Sequence, residues 1–281
     1  MDLSRSVSDL PYALAHHEEL AARIEGKRLA VFLDFDGTLS PVAERPDAAV
    51  ISESMRDIVS ALSERCPVAI VSGRDRTDVH QRIGLDTLFY AGSHGFDIAG
   101  PADRPIRHQE GTAFNAEIEA VEGKLRRALK AVDGVLLEPK TASLSVHYRL
   151  VRPAERATVE GAVRRVLVDH PGLRLMFGKM IFEIQPRLNW NKGSAVLWLL
   201  RTLELDGPEV VPVYIGDDIT DEDAFAVIKT RGIGFFVNAR DETDPGRATA
   251  ADYLVEGPAE VGLLLRFLVE RPRQRSQALS P

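Results

Sequence analysis

The sequence predicts an α/β fold: a doubly wound parallel sheet, interrupted once by an inserted α+β segment of order αββαββ. Three observations predict it. Short, continuously apolar runs alternate with helix-period segments in both the first and the last third of the chain. Those runs lack polar alternation, as strands covered on both faces require. Between residues 108 and 187 the order changes, and half-polar strand patterns replace the wholly apolar ones.

The elements follow in order. Residues 1–26 read as an amphipathic helical extension with a loose start. Residues 29–35 form the first buried strand. Residues 52–65 carry Met55, Ile58, Val59 and Leu62 at helical spacing. A second strand is expected at 68–71, a short helix at 77–83 and a third strand at 88–92. The inserted segment opens with a helix at 112–132, its apolar face built from Phe114, Ile118, Val121, Leu125 and Leu129. Strands at 135–138 and 143–150, a helix at 154–169, and strands at 173–177 and 180–185 complete it, with a hairpin turn at Gly178. The first pattern then resumes: helix 192–203, strand 211–215, helix 221–229, strands 233–237 and 253–255, and a last helix from Ala259. Residues 271–281 read as a polar, flexible tail. The expected units are therefore 27–107 with 188–270 as a core, and 108–187 as a cap.

Composition narrows the function. The formal net charge of −7 comes with no Lys/Arg-rich tract, which argues against a nucleic-acid partner. No apolar stretch is long enough to cross a bilayer and the N-terminus lacks a continuous apolar h-region, so no membrane association is expected. The single cysteine, Cys66, cannot form an intrachain disulfide. It reads as a small buried apolar residue in a protein of the cytoplasm.

The chemistry concentrates at the strand ends, where open α/β sheets bind ligands. The first strand runs into Asp34-Phe35-Asp36-Gly37-Thr38-Leu39. Two acids two residues apart on a strand share one side and repel each other unless a cation or proton lies between them. A DxDG run also begins EF-hand calcium loops, but no Glu closes a twelve-residue loop here, and Leu39 and Pro41 interrupt it. A second acidic run, Gly216 to Asp223, follows the 211–215 strand. Thr220 reads as an N-cap there, and Glu222 and Asp223 as acids favoured by the helix N-terminus. Asp217 and Asp218 precede that cap and are left without a structural reason. Mg²⁺ takes all-oxygen coordination, which Asp34 and Asp217 can supply. Ser72-Gly73-Arg74 follows the second strand, where a hydroxyl and backbone N–H groups can hold a phosphate, although such a turn alone is most often only a turn. Lys192 opens a helix, an unfavourable place for a cation against the helix dipole.

These four elements, in this order, resemble the haloacid dehalogenase (HAD) superfamily of phosphotransferases, over nearly the whole chain from 28 to about 265. Gly92-Ser93-His94-Gly95 and the run Lys140 to Arg149 narrow the resemblance to the trehalose-phosphatase family. The resemblance implies a Rossmann-like, HAD-type core and assigns roles residue by residue. Asp34 would be the nucleophile and Asp36 the general acid and base. The carboxylates of Asp34 and Asp217 and the backbone carbonyl of Asp36 would hold Mg²⁺. Ser72, Gly73, Arg74 and Lys192 would bind the phosphate, with Arg74 reaching the substrate or bracing its loop. Asp218, Asp221 and His94 would support the site.

The inserted strands add a reading of their own. Leu144, Val146 and Tyr148 alternate with Ser143, Ser145, His147 and Arg149, and Met180, Phe182 and Ile184 alternate with Glu183 and Gln185. Apolar faces packed on the cap helices would leave one polar surface turned to the core, suited to a polyhydroxylated ligand; an exposed sheet face can also be polar for solubility alone. By resemblance Glu138, Lys140, Arg149, Lys179 and Glu183 would grip the sugar of a small sugar phosphate, with a functional link to a trehalose-6-phosphate synthase. His147, Trp190 and Trp198 read as structural. The core motifs serve a sucrose or glucosylglycerol phosphate equally well, because the chemistry at phosphorus is the same. A silent sugar-phosphate sensor and a phosphoryl-transferring mutase use the same fold.

Overall fold

The computed structural model of the chain describes residues 5–43, 45–178, 180–238 and 247–271. Its central sheet runs in the order Tyr253–Glu256, Ile233–Asn238, Val210–Gly216, Arg28–Leu33, Val68–Val71, Phe89–Gly92, Asp97–Ala99, Arg107–Gln109. The first six strands are parallel and the last two antiparallel. Alternate residues of each strand point to opposite faces, and both faces are covered. Val31, Leu33, Val68 and Ile70 pack with Met55, Val59 and Leu62 of helix Glu53–Ser63 and with Val261, Leu264 and Leu265 of helix Gly257–Glu270. Ala30, Phe32, Ala69 and Val71 pack on the other side, with Val196, Leu199 and Leu200 of helix Lys192–Thr202 and Phe225 of helix Glu222–Ile228. Two buried faces are what a doubly wound sheet needs.

A second, antiparallel sheet has the order Leu136–Pro139, Leu144–His147, Ile181–Pro186, Leu173–Gly178. Helices Asn115–Ala128 and Arg156–Val168 cover one face, where Ile118, Val121 and Leu125 meet Leu144, Val146, Phe182 and Ile184. The opposite face carries Ser143, Ser145, Glu183 and Gln185, all buried. The apolar-to-helix, polar-to-cleft alternation expected from the sequence is what this sheet has.

Four details differ from the sequence reading. Asp97–Ala99 and Arg107–Gln109 extend the main sheet as a short antiparallel edge; three residues, one strand wholly polar, leave no apolar run to detect. The inserted run consequently leaves the main sheet at Glu110 rather than at 108. The hairpin turn lies beyond Gly178, which pairs with Ile181, and Met180 takes the left-handed φ of 64° there. At the N-terminus, Arg5–Ser6 pairs with Ala248–Thr249 before helix His17–Ile24 begins. Residues 1–4 and 272–281 lie outside the described residues. No helix among the described residues is long and apolar enough to cross a membrane. Burial pushes the Cys66 thiol up to about 12, which keeps it protonated and chemically quiet.

Candidate active site

Parallel register brings the two acidic runs together. Leu33 pairs with Ile215, and the Asp34 N–H donates to the Ile215 carbonyl at 2.9 Å, so Asp34 and Asp217 leave neighbouring strands side by side. Gly37 sits at φ 81°, and a Cβ there would come within 2.2 Å of Asp217 Oδ2. Only glycine permits both that turn and that approach. The DxDG glycine therefore lets the second acidic run press against the first.

Lys192 Nζ donates to Asp34 Oδ1 at 2.9 Å and to Asp221 Oδ1 at 2.7 Å, with the lysine side chain 2% exposed. Asn191 caps its helix by accepting from the Ser194 N–H. Asp221 also accepts from the Tyr214 hydroxyl at 2.5 Å and from the Asp218 N–H at 2.8 Å. Three donors thus occupy both oxygens of this carboxylate and hold it in place against Lys192. The N-cap of this turn is Asp218, in a capping box with Asp221, and not Thr220. Asp218 thereby acquires the structural explanation that its sequence position did not offer. Glu222 also does local work, accepting from the Ala250 N–H and the Thr249 hydroxyl.

Arg74 grips Asp36 through two N–H groups, Nε at 2.7 Å and the second terminal nitrogen at 2.8 Å, and reaches Asp78 at 3.0 Å. A bidentate guanidinium fixes a carboxylate's orientation as well as its position. Arg74 therefore braces Asp36. Gly73 lines the cleft, whereas Ser72 is buried beneath it and its hydroxyl accepts from the Arg74 N–H. The Gly92–Gly95 turn clasps this loop: the Ser93 N–H donates to the Arg74 carbonyl and the His94 N–H to the Ser72 carbonyl. His94 lies against Gly73, where a Cβ would fall 2.8 Å from its Cε1. Burial, seconded by the charges of Lys140 and Lys192, lowers the His94 imidazole to about 4, so it is neutral at pH 7.

The polar cap face closes the other side of the cleft. Ser143 Oγ donates to Glu183 Oε1 at 2.5 Å, Ser145 Oγ to Oε2, and Lys140 Nζ to both oxygens at 3.4 Å. Burial works against the Glu183 charge, but Lys140 and the two hydroxyls outweigh it and hold the carboxyl below the ordinary range. His147 bonds to Glu138 at 2.6 Å. Glu138, Lys140, Arg149 and Glu183 line one cleft with Asp34, Asp36, Lys192, Asp217 and Asp218. Lys179 lies outside the described residues.

The donor set fits a hard divalent cation. Carboxylate oxygens of Asp34, Asp217 and Asp221 all lie within 4.8 Å of one another, and each residue is buried. Burial pushes the Asp34 carboxyl well above its usual range; Lys192 opposes that, and Asp221 and Asp217 add to it. One lysine does not neutralise three crowded acids, and a cation between Asp34 and Asp217 would hold both ionised. Asp221, already saturated by Lys192, Tyr214 and the Asp218 N–H, suits the role of anchor better than that of ligand.

A family model for trehalose-phosphatase matches residues 32–259. The chain is 42% identical over 280 residues to trehalose 6-phosphate phosphatase RA3 of Zea mays, across 94% of this chain and 76% of that protein. It is 40% identical over 271 residues to the trehalose-phosphate phosphatase of Mycobacterium bovis (strain BCG / Pasteur 1173P2), across 96% of this chain and 68% of that protein. The C-terminal domain of the C. albicans trehalose-6-phosphate phosphatase has the same fold, with a TM-score of 0.78 at 22% identity over 92% of this chain and 98% of that one.

Proposed function

The chain belongs to the trehalose-phosphatase family, and on that premise we propose that it hydrolyses trehalose 6-phosphate to trehalose and phosphate through an aspartyl-phosphate on Asp34. The observation that carries the proposal is one cleft with Asp34, held by Lys192, on one side and the Glu183–Lys140 pair on the other. Residues 27–109 with 188–270 act as the catalytic core and the inserted run as the specificity cap.

In the first step an Asp34 oxygen attacks phosphorus and the bond from phosphorus to the sugar's 6-oxygen breaks. Asp36, with one oxygen released from Arg74 so that it can carry a proton, gives that proton to the sugar oxygen. In the second step Asp36 takes a proton from water, whose oxygen attacks phosphorus and frees Asp34. Lys192 and the Gly73 backbone neutralise charge on the transferring group. Mg²⁺, held by the Asp34 and Asp217 carboxylates and the Asp36 carbonyl, would supply further neutralisation of phosphate charge. On the cap, Glu138, Lys140, Arg149, Lys179 and Glu183 receive the sugar hydroxyls, with neutral His94 beside them. The proposed setting is the cytoplasm, consistent with a lone, half-buried cysteine, downstream of a synthase that supplies the sugar phosphate.

Phosphate release from a panel of trehalose 6-phosphate, sucrose phosphate, glucosylglycerol phosphate and a small aryl phosphate tests the reading. Trehalose 6-phosphate is expected to be preferred, with activity lost in EDTA and restored by Mg²⁺. Equal rates across the panel would overturn the substrate, and full activity in EDTA the metal. Glu183→Gln is expected to lower kcat/KM for trehalose 6-phosphate roughly 100-fold, because a carboxylate that can accept sugar hydroxyls becomes a half-mismatched amide. Aryl phosphate turnover should stay within a few-fold. Equal losses on both substrates would remove Glu183 from sugar recognition.

A further inference from the structure

One pair of side chains joins the cap directly to the phosphate loop. Asp75 follows Arg74, and Thr141 follows Lys140. The Thr141 N–H donates to Asp75 Oδ2 at 3.1 Å and the Thr141 hydroxyl to the same oxygen at 2.6 Å. The other oxygen, Oδ1, accepts from the Thr77 N–H at 3.0 Å and from the Thr77 hydroxyl at 2.8 Å, capping helix Arg76–Ile83. One oxygen serves the core helix and the other serves the cap.

The contact lies between two sets of working groups. On the core side, Arg74 holds Asp36 by two hydrogen bonds. On the cap side, Lys140 and Ser143 lie in the same short loop as Thr141, and both reach Glu183. Direct contacts and single peptide units thus lead from the acid and base Asp36, through Arg74, Asp75, Thr141 and Lys140, to the Glu183 carboxylate. An N-cap needs only one acceptor oxygen. The second pair of bonds, to a residue 66 positions away, is not needed for the helix. Desolvation acts to protonate Asp75, but the bonds from Thr141 and Thr77 outweigh it and keep its carboxyl below the ordinary range.

We propose that Asp75 is a positioning residue that sets the sugar-gripping loop of the cap against the Asp36–Arg74 pair, so that efficient phosphoryl transfer depends on a correctly seated sugar. The inference rests on the reading of the site as a trehalose 6-phosphate phosphatase. A small aryl phosphate reaches Asp34 without touching the cap loop, so its hydrolysis does not use the contact. The sugar phosphate is held at both ends, and a displacement of about 1 Å between them costs on the order of 100-fold in rate.

The test compares kcat and KM for trehalose 6-phosphate and p-nitrophenyl phosphate in the wild-type chain and three variants. Asp75→Asn keeps an oxygen to cap Thr77 but turns its NH₂ toward the Thr141 N–H. Thr141→Val removes the hydroxyl bond alone, and Thr141→Ser retains it. Asp75→Asn and Thr141→Val are each expected to lower kcat/KM for trehalose 6-phosphate about tenfold or more, with p-nitrophenyl phosphate turnover within about twofold of wild type. Thr141→Ser should restore the sugar phosphate rate. Parallel losses on both substrates with a lowered melting temperature would reduce Asp75 to a helix cap and overturn the proposal. Unchanged discrimination in both variants would overturn it as well, while the wild-type preference for the sugar phosphate left the functional reading standing. A wild-type protein that released no phosphate from trehalose 6-phosphate would remove that reading and the coupling with it.

Discussion

Asp34→Asn is expected to reduce phosphate release from trehalose 6-phosphate by roughly 10⁵-fold or more, the scale on which removal of a covalent nucleophile acts. The amide retains an oxygen for Lys192 but lacks the negative charge and the nucleophilic second oxygen needed to bond phosphorus. It also presents N–H groups where Asp217 approaches, which disfavours a cation between the two positions. The same change should leave the fold intact and raise its melting temperature in EDTA. The reason is linkage: burial raises the folded-state pKa of Asp34, so the unfolded chain gives up this proton more readily. Ionised Asp34 therefore costs stability at every pH above its unfolded value of about 3.9. Asparagine removes that cost, a common exchange of stability against activity at working sites. Steady-state phosphate release and thermal melts with and without EDTA check both halves. Normal turnover would end the mechanism, and a lowered melting temperature in EDTA would contradict the electrostatic reading of the cluster.

Lys192→Met is expected to lose both stability and activity. Lys192 is the cation in hydrogen-bond contact with Asp34 and Asp221, and both acids are buried with it. Removing one member of a buried ion cluster leaves its partners uncompensated and costs about 3–5 kcal/mol. Turnover should fall about 10³-fold, since the group that neutralises the phosphoryl oxygens is gone. Urea denaturation and phosphate release read the two effects separately. The double variant Lys192→Met/Asp221→Asn removes an opposite charge as well, and should recover much of the stability and none of the turnover. A double variant no more stable than Lys192→Met would show that Asp221 is not the residue left stranded.

The acids at the strand ends were legible because an apolar strand that stops in Asp34 and Asp36, or in Asp217, has no packing reason to do so. Motif order then linked positions that lie 158 residues apart, such as Asp34 and Lys192. The alternation of Leu144 and Val146 with Ser143 and Ser145 carried the cap face for an equally local reason, the period of a strand. What escaped was the part of the structure with no periodic trace. Thr220 looked like the cap because a threonine precedes three acids, yet Asp218 holds that place, since its own side chain accepts from Ile219 while Asp221 reaches back to it. Tyr214 reads as one more apolar strand residue until its hydroxyl is found on Asp221. Arg107–Gln109 pairs at an edge where polar side chains suffice. The Asp75–Thr141 contact belongs to two loops, and nothing in either loop's composition announces the other.

The place of the Arg28–Leu33 strand between Val68–Val71 and Val210–Gly216 has a consequence for biosynthesis. At ~5–20 residues per second, the nascent chain waits on the order of ten seconds or more before its late neighbour leaves the ribosome. Through that interval one full edge of a strand that is apolar from Leu29 to Leu33 has no hydrogen-bond partner. The intervening antiparallel unit, whose contacts are local, can fold meanwhile, while the long-range pairing is slow by topology. Aggregation during overexpression should therefore arise from this open edge, and slower growth at low temperature with chaperone co-expression should raise the soluble yield.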